Sequence, residues 1–251
     1  MKKIILSILL AGLFGYTIAQ PPKALADSAT ANYNKGRYEQ AIAFYTKILA
    51  QGYESSEIYF NLGNSYFKSN DLPSAILNFE RALKLDPGDE DIQFNLKVAN
   101  SRITDKIEIV PDLFYEIWWK TLYNLFPGDT WAWIGIICIA LMLIAAGFYF
   151  LSGNMFLRKS GFWVSVAMLI FAIFSGSFAW KSSTHQLNHT QAIVFDPAVT
   201  AKSSPDASSV DIFVLHEGTK VKQTDKVGEW IKIRIANGSV GWIPIKSVKE
   251  I

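Results

Sequence analysis

Cysteine is almost absent from this chain: among 251 residues the single one is Cys138. No disulfide can form within the chain, and no cysteine metal cluster exists. Histidine is nearly as scarce, with His185, His189 and His216 the full set. None has a nucleophile or carboxylate at motif spacing, and no glycine-rich phosphate loop is present, so no enzyme activity and no cofactor are expected. His185 and His189 stand four apart and would share a helix face. No third ligand accompanies them, so the expectation is a solvated linker and no metal site. The net charge is only +2, without an acidic or basic tail, and no nucleic-acid partner is expected.

Charge is missing altogether from residues 130–157, and again from residues 160–180. As a helix, the 21 residues of 131–151 extend roughly 31 Å, enough to cross a bilayer core of about 30 Å. Residues 161–180 supply a second crossing. Neither run keeps the polar face of a soluble core helix. Trp131, Trp133, Trp163 and Trp180 stand near the ends, where indole rings favour the headgroup layer. Arg158 and Lys159 fall in a short loop, 152–160, and short basic loops stay cytoplasmic. Two crossings then place both flanks on the non-cytoplasmic side. The N-terminus agrees, because Lys2 and Lys3 precede an apolar run, 4–18, and then small residues. That is the layout of a secretory signal peptide, 1–26, with cleavage after Ala19 or Ala26; an uncleaved anchor would export the same residues. Export without disulfides suits a bacterium. The expected location is the inner membrane, multi-pass, with both terminal domains outside the cytoplasm.

Residues 27–107 carry a helical pattern with an internal offset of 34 residues. Tyr59, Leu62, Gly63, Tyr66, Ala75, Phe79, Ala82 and Pro87 occupy eight spaced positions. Small Gly63 and Ala75 suit two helices in contact, Tyr66 and Phe79 fill the space between them, and Pro87 ends the second. In these positions the segment resembles a tetratricopeptide repeat. One repeat earlier the match is partial: Ala41, Tyr45 and Ile48 fit, Ala29 stands for Gly63, and Ser28 stands for Leu62. An eroded first helix is expected there. Asp89-Glu90-Asp91 opens a capping helix with the stripe Ile92, Leu96, Ala99 and Ile103. Two repeats and a cap are marginal, since stacked repeats bury their faces only against neighbours. The stack is expected to lean on a partner, a second copy or the membrane-proximal segment. The resemblance implies a peptide- or protein-binding groove along the first helices, at Tyr33, Glu57, Phe60, Asn61, Asn64, Phe67, Lys68, Phe94, Asn95 and Arg102. Glu57 and Asp91 stand where chaperone-tail binders of that family carry lysine, which argues against a carboxylate clamp.

Residues 108–130 link the repeats to the membrane. Phe114, Ile117, Trp118, Leu122, Leu125 and Phe126 recur near helical spacing, with Trp119 and Tyr123 adding aromatic bulk. This suits either a helix in the headgroup layer or a packed helix closing the repeat stack. After a linker, 181–190, the chain turns to β-pattern. Ala192-Ile193-Val194, Leu215-His216-Glu217-Gly218, Gly228-Glu229-Trp230-Ile231-Lys232-Ile233, Asn237-Gly238 and Gly241-Trp242-Ile243-Pro244 carry it. Over 191–251 these resemble a bacterial SH3-like domain. Alternation sends Ile231, Ile233 and Ile235 into a small barrel and Trp230, Lys232 and Arg234 outward. Asn237-Gly238 predicts a tight hairpin turn. The resemblance implies a groove formed by Trp230 and Pro244, with Lys232 and Arg234 beside it, although Trp230 could also simply pack under a loop.

The predicted architecture is a multidomain membrane protein: an all-α tetratricopeptide repeat domain, a two-helix transmembrane hairpin and an all-β SH3-like small barrel. That order is similar to the BatE-like members of the Bat (Bacteroides aerotolerance) group. Membership would imply membrane partners with von Willebrand A domains, a MoxR-type ATPase encoded nearby, and a role in oxidative or envelope stress. Two functions compete. One is a non-enzymatic membrane scaffold. The other is a protein that binds or senses peptidoglycan through its SH3-like domain.

Overall fold

The computed structural model describes residues 23–107, 114–187 and 190–251. The expected signal segment up to residue 22, positions 108–113 and His189 lie outside them. The described chain falls into two units, one ending at Glu54 and one running from Ser55 to Ile251.

In the first unit, α1 (Lys23–Asn34) and α2 (Tyr38–Ala50) form a helical pair. Gly36 makes the turn with φ +73°, a left-handed backbone that glycine adopts freely. Ala29, Ala41, Tyr45 and Ile48 are buried, and the Thr30 and Tyr45 hydroxyls meet at 3.2 Å. The first helix is not eroded: it runs a full 12 residues from Lys23. Ser28, in the place of a leucine, bonds back to the Ala24 carbonyl at 2.7 Å and leaves the helix intact.

The second unit begins with α3 (Ser56–Lys68), α4 (Leu72–Leu85) and α5 (Glu90–Asn100). Each starts on a side-chain cap. Ser55 accepts from the Ile58 N–H (3.2 Å), Asp71 from Ser74 (3.1 Å) and Asp89 from Ile92 (3.1 Å). Gly63 of α3 lies against the Phe79 ring of α4, and a Cβ there would sit 2.7 Å from it. The capping helix stops at Asn100, so Ile103 does not extend its stripe.

The β-domain holds β1 (Gln191–Val194), β2 (Ala198–Lys202), β3 (Asp211–His216), β4 (Lys220–Val227), β5 (Trp230–Arg234), β6 (Val240–Pro244) and β7 (Val248–Glu250). Neighbours pair antiparallel in the order β3-β2-β6-β5-β4-β1-β7. Ile231, Ile233 and Ile235 join Val194, Leu215 and Ile243 in its core. The tight two-residue turn is Gly228-Glu229, with Gly228 at φ +57°. Asn237-Gly238 makes a wider one. The Gly238 N–H reaches the Ile235 carbonyl at 2.9 Å, Gly238 alone turns left-handed at φ +90°, and Ser239 accepts from the Ile235 N–H.

The two domains are docked. Helix α4 is buried without interruption over residues 73–80. One side meets α3 and α5; the other meets Ile193 of β1 and Ile251, which share its core with Ile76 and Phe79. Helices α3–α5 therefore lean on the chain's own β-domain, which was not among the three expected supports, and also on the membrane-proximal segment, where Gly88 lies against the Leu125 carbonyl. Gly218, at φ +85°, leaves room for Ile103: a Cβ there would lie 2.7 Å from its Cγ2. Glu80 pairs with Lys220 at 2.7 Å. Asp105 accepts from the Thr219 hydroxyl (2.6 Å), the His216 N–H (2.8 Å) and the His216 ring (2.7 Å). Burial opposes ionisation of Asp105, but these donors outweigh it and hold its carboxyl below the ordinary range.

Helix α6 (Phe114–Tyr123) leads into α7 (Gly128–Leu151) and α8 (Met155–Leu187). Gly128–Leu151 and Met155–Ser182 are long and apolar enough to cross a membrane. Only residues 152–154 separate them, so Arg158 and Lys159 sit in the first turns of α8 and not in a loop. Likewise α8 continues to Leu187, through most of the stretch expected as linker. The two helices meet along small residues: Gly128 lies beside Ser182, Gly135 beside Ser175, and Gly161 against the backbone at Ala145 and Tyr149. Since the flanking domains dock on each other, both lie at the end of the hairpin away from residues 152–154.

Two predictions follow from these contacts. Gly63→Leu forces α3 from the Phe79 ring and lowers stability by about 1–3 kcal/mol, read by thermal melting of the full chain in detergent. An unchanged melt contradicts the packing. The second concerns pH. A depressed carboxyl stabilises the fold fully above its unfolded value and loses that contribution as pH falls through the folded one. Asp105→Asn is therefore expected to melt lower at pH 7, by about 1.5–3 kcal/mol for a charged hydrogen-bonded group. The gap from the parent closes as pH drops below the ordinary carboxyl value of 3.8. A gap constant to pH 2 (about two units lower) removes the charge from the explanation.

Candidate binding surfaces

The helical surface is built on α3 and α5. Phe60 is half-buried, its ring 6.0 Å from Phe79, so most of it belongs to the core behind the surface. Phe67 lies at the edge of the same core, and the Arg102 guanidinium stands 4.4 Å over its ring. This cation–π pair brings together two residues 35 positions apart in the sequence. Asn61 and Asn64 are half-buried and Lys68 is exposed. Phe94 is 65% exposed, a large apolar side chain turned away from the core that α5 covers. The Asn95 amide reaches back to the Asp91 carbonyl at 2.8 Å, which fixes its orientation. Tyr33 belongs to the first unit. Its ring meets Tyr38 at 5.5 Å, and burial, with Tyr38 and Tyr45 nearby, pushes its hydroxyl pKa up.

The β-surface is set by register. Ile231 and Ile233 point inward, so Trp230, Lys232 and Arg234 line the outer side of β5. Across the ladder Trp230 faces Pro244, Lys232 faces Trp242, and Arg234 faces Val240. Trp230 and Pro244 are thus cross-strand neighbours. Trp230 is half-buried, not an exposed indole. The residue that sequence reasoning left out is Trp242. It occupies the middle of the same row, flanked by Lys202 on β2 and by Lys232, whose ammonium lies 5.9 Å from its ring. Alternation around the inward Ile243 carried that signal. Arg234, at the far end of the row, also lines a cavity of about 740 Å³ at the joint between the domains, with Glu80, Asp105, Lys106 and Lys222.

Both surfaces combine aromatic rings with cations on rigid elements. That chemistry suits extended or planar ligands bearing carboxylates, held by stacking and charge. Among the described residues, no three His, Cys, Asp or Glu side chains converge as metal ligands would.

Comparison with protein families places a Tetratricopeptide repeat match on residues 56–89, which spans α3, α4 and the turn after them. A Bacterial SH3 domain match covers residues 198–249, from β2 to β7. Comparison with curated proteins finds no match. Both matched modules are of kinds that bind proteins or, for the second, cell-wall peptides.

Proposed function

We propose that the chain is a non-enzymatic, membrane-anchored scaffold whose helical and β surfaces bind proteins outside the cytoplasm. The observation that carries this reading is the docking of two interaction modules on one another, through Ile193, Glu80–Lys220 and Asp105, at one end of an apolar hairpin. Docking leaves Phe94 and Arg102 exposed and Trp230, Lys232 and Pro244 half-exposed at its margins, with Trp242 buried between them. By its order of modules the chain joins a Bat-type assembly, with von Willebrand A membrane proteins as partners in oxidative or envelope stress. The basic residues Arg158 and Lys159 set the hairpin turn in the cytoplasm.

A second reading, peptidoglycan binding, draws on the Trp230–Pro244 pair and on the family match over residues 198–249. The indole and the proline, paired across the ladder, offer an apolar wall that suits a peptide stem.

Topology is tested by reporter fusions active only outside the cytoplasm. They are expected to work after Ile107 or Ile251 and to fail at Asn154; activity at Asn154 reverses the orientation. Function is tested by crosslinking from positions 94 and 230 in native membranes, followed by mass spectrometry. Recovery of von Willebrand A proteins supports the Bat assembly, whereas retention on purified wall without protein partners supports the second reading. In either case Trp230→Ala is expected to leave the full chain folded and to weaken the bound ligand by roughly 2 kcal/mol, about thirtyfold. Ile233→Ala, in the core, costs stability instead, by roughly 2–5 kcal/mol. Equal unfolding by both variants places the indole in the core.

A further inference from the structure

We propose that the closed end of the hairpin holds an anionic phospholipid, its headgroup on Arg158 and Lys159 and its upper acyl chain along Tyr149, Phe162 and Trp163. These five residues, with Gly153 and Met155, line a cavity of about 470 Å³.

The charge pattern of the sequence is the first argument. Between Lys120 and Lys181 the only cations are Arg158 and Lys159, and between Asp129 and Asp196 there is no acid at all. Two adjacent positive charges thus stand at the rim of an apolar hairpin whose one acidic side chain, Asp129, lies at the opposite end. Both are exposed, and neither lies between α7 and α8. The second argument is the wall. Met155 and Trp163 face outward on α8, Phe162 packs 5.8 Å from Tyr149 of α7, and Arg158 stands 5.9 Å from the Tyr149 ring. Along α8 the cations Arg158 and Lys159 therefore lie one turn nearer residues 152–154 than the rings of Phe162 and Trp163, with Met155 and Tyr149 beside them at the turn end. This is the order of groups in a phospholipid, from phosphate to acyl chain. The third argument concerns the helix terminus. Asn154 Oδ1 already accepts from the Phe156 N–H at 2.9 Å, so the site rests on side chains and not on free backbone donors. Long basic side chains at this depth extend toward the phosphate layer, and basic pockets beside membrane helices bind anionic headgroups.

The full chain, purified in detergent, is titrated with phosphatidylglycerol or with phosphatidylcholine of the same acyl chains, and bound lipid is read by native mass spectrometry. Phosphatidylglycerol is expected to bind preferentially. The variant R158Q/K159Q is expected to lose about thirtyfold in phosphatidylglycerol affinity, the effect of two near-surface cations, with phosphatidylcholine unchanged. R158K/K159R keeps the preference, and so does K181Q at the other end of the hairpin. Equal binding of the two lipids overturns the proposal. So does loss of the preference in R158K/K159R, which would mark a structural role, or in K181Q, which would place the lipid elsewhere. Displacement of phosphatidylglycerol by millimolar inorganic phosphate also overturns it, since the site would then recognise a free anion.

Discussion

Strand β1 is buried on both faces, and the part of the second unit outside the hairpin depends on that. Ala192 and Val194 turn into the barrel core, and Ile193 turns the other way, against α4. Helix α4 has the same property, covered by α3 and α5 on one side and by β1 and Ile251 on the other. A single repeat with a cap has an open face, and so does a barrel of some sixty residues; each is too small to hide its own apolar surface. Fully burying a side chain such as Ile193 or Ile76 stabilises by about 1.5–3 kcal/mol, so a few such residues are comparable with the whole margin of a small domain. The polar partners set the register of the joint. Asp105, 12% exposed, and Glu80, 9% exposed, would each be left a nearly buried, unpaired carboxylate by a slip of the joint.

The joint is tied to the apolar hairpin by a second kind of packing. In lipid there is no hydrophobic gain from bringing two apolar helices together, so close approach must come from small side chains. Positions 128, 131, 135, 138, 142, 145 and 149 of α7 and 161, 165, 168, 172, 175, 179 and 182 of α8 are all buried or half-buried. Their spacing alternates between three and four, the 3.5-residue period of a left-handed pair. At the outer end Ser175 donates to the Trp131 carbonyl, and Trp119 and Trp131 pack on Phe178 at 5.3 and 5.0 Å. Gly88, in the turn after α4, lies against the Leu125 carbonyl. Through these contacts α6 and the helical domain are held at the mouth of the hairpin.

How much of this was legible follows from what each pattern encodes. Gly63 and Phe79 were readable because a close helix crossing demands one small and one large residue at a set spacing. The outward row of β5 was readable because strand side chains alternate. The joint was present in the sequence only as an excess. Ala192-Ile193-Val194 shows no alternation, and Ile76 and Leu77 make α4 apolar beyond its repeat positions. Such an excess says that something covers the element without saying what. Family patterns do not supply the answer either, since Ile193 and Ile251 both fall outside residues 198–249. The seam of the hairpin was hidden for a different reason: where nearly every residue is apolar, hydropathy carries no phase, and small residues such as Gly128, Gly135, Gly161, Ser175 and Ser182 merely hint at a face. Arg158 and Lys159 resemble a loop in the sequence because charge suggests a break, yet a helix tolerates charge in its first turns.

A docked pair of modules behaves differently from two modules on a flexible tether. With a tether, the effective concentration of the second module is set by linker length, and many partner geometries are served. Here the Trp230–Pro244 row and the Phe67–Arg102 pair lie on elements joined through α4 and β1, so their separation is set by packing. A ligand that spans both must match that distance, and one that does not gains nothing from the second surface. The same rigidity acts on the membrane side. Tilting the β-domain would uncover Ile193 and strip Asp105 of its donors, so its orientation to the bilayer is coupled to that of the helical domain. Selectivity for a particular ligand can then arise from geometry as much as from the chemistry of either surface.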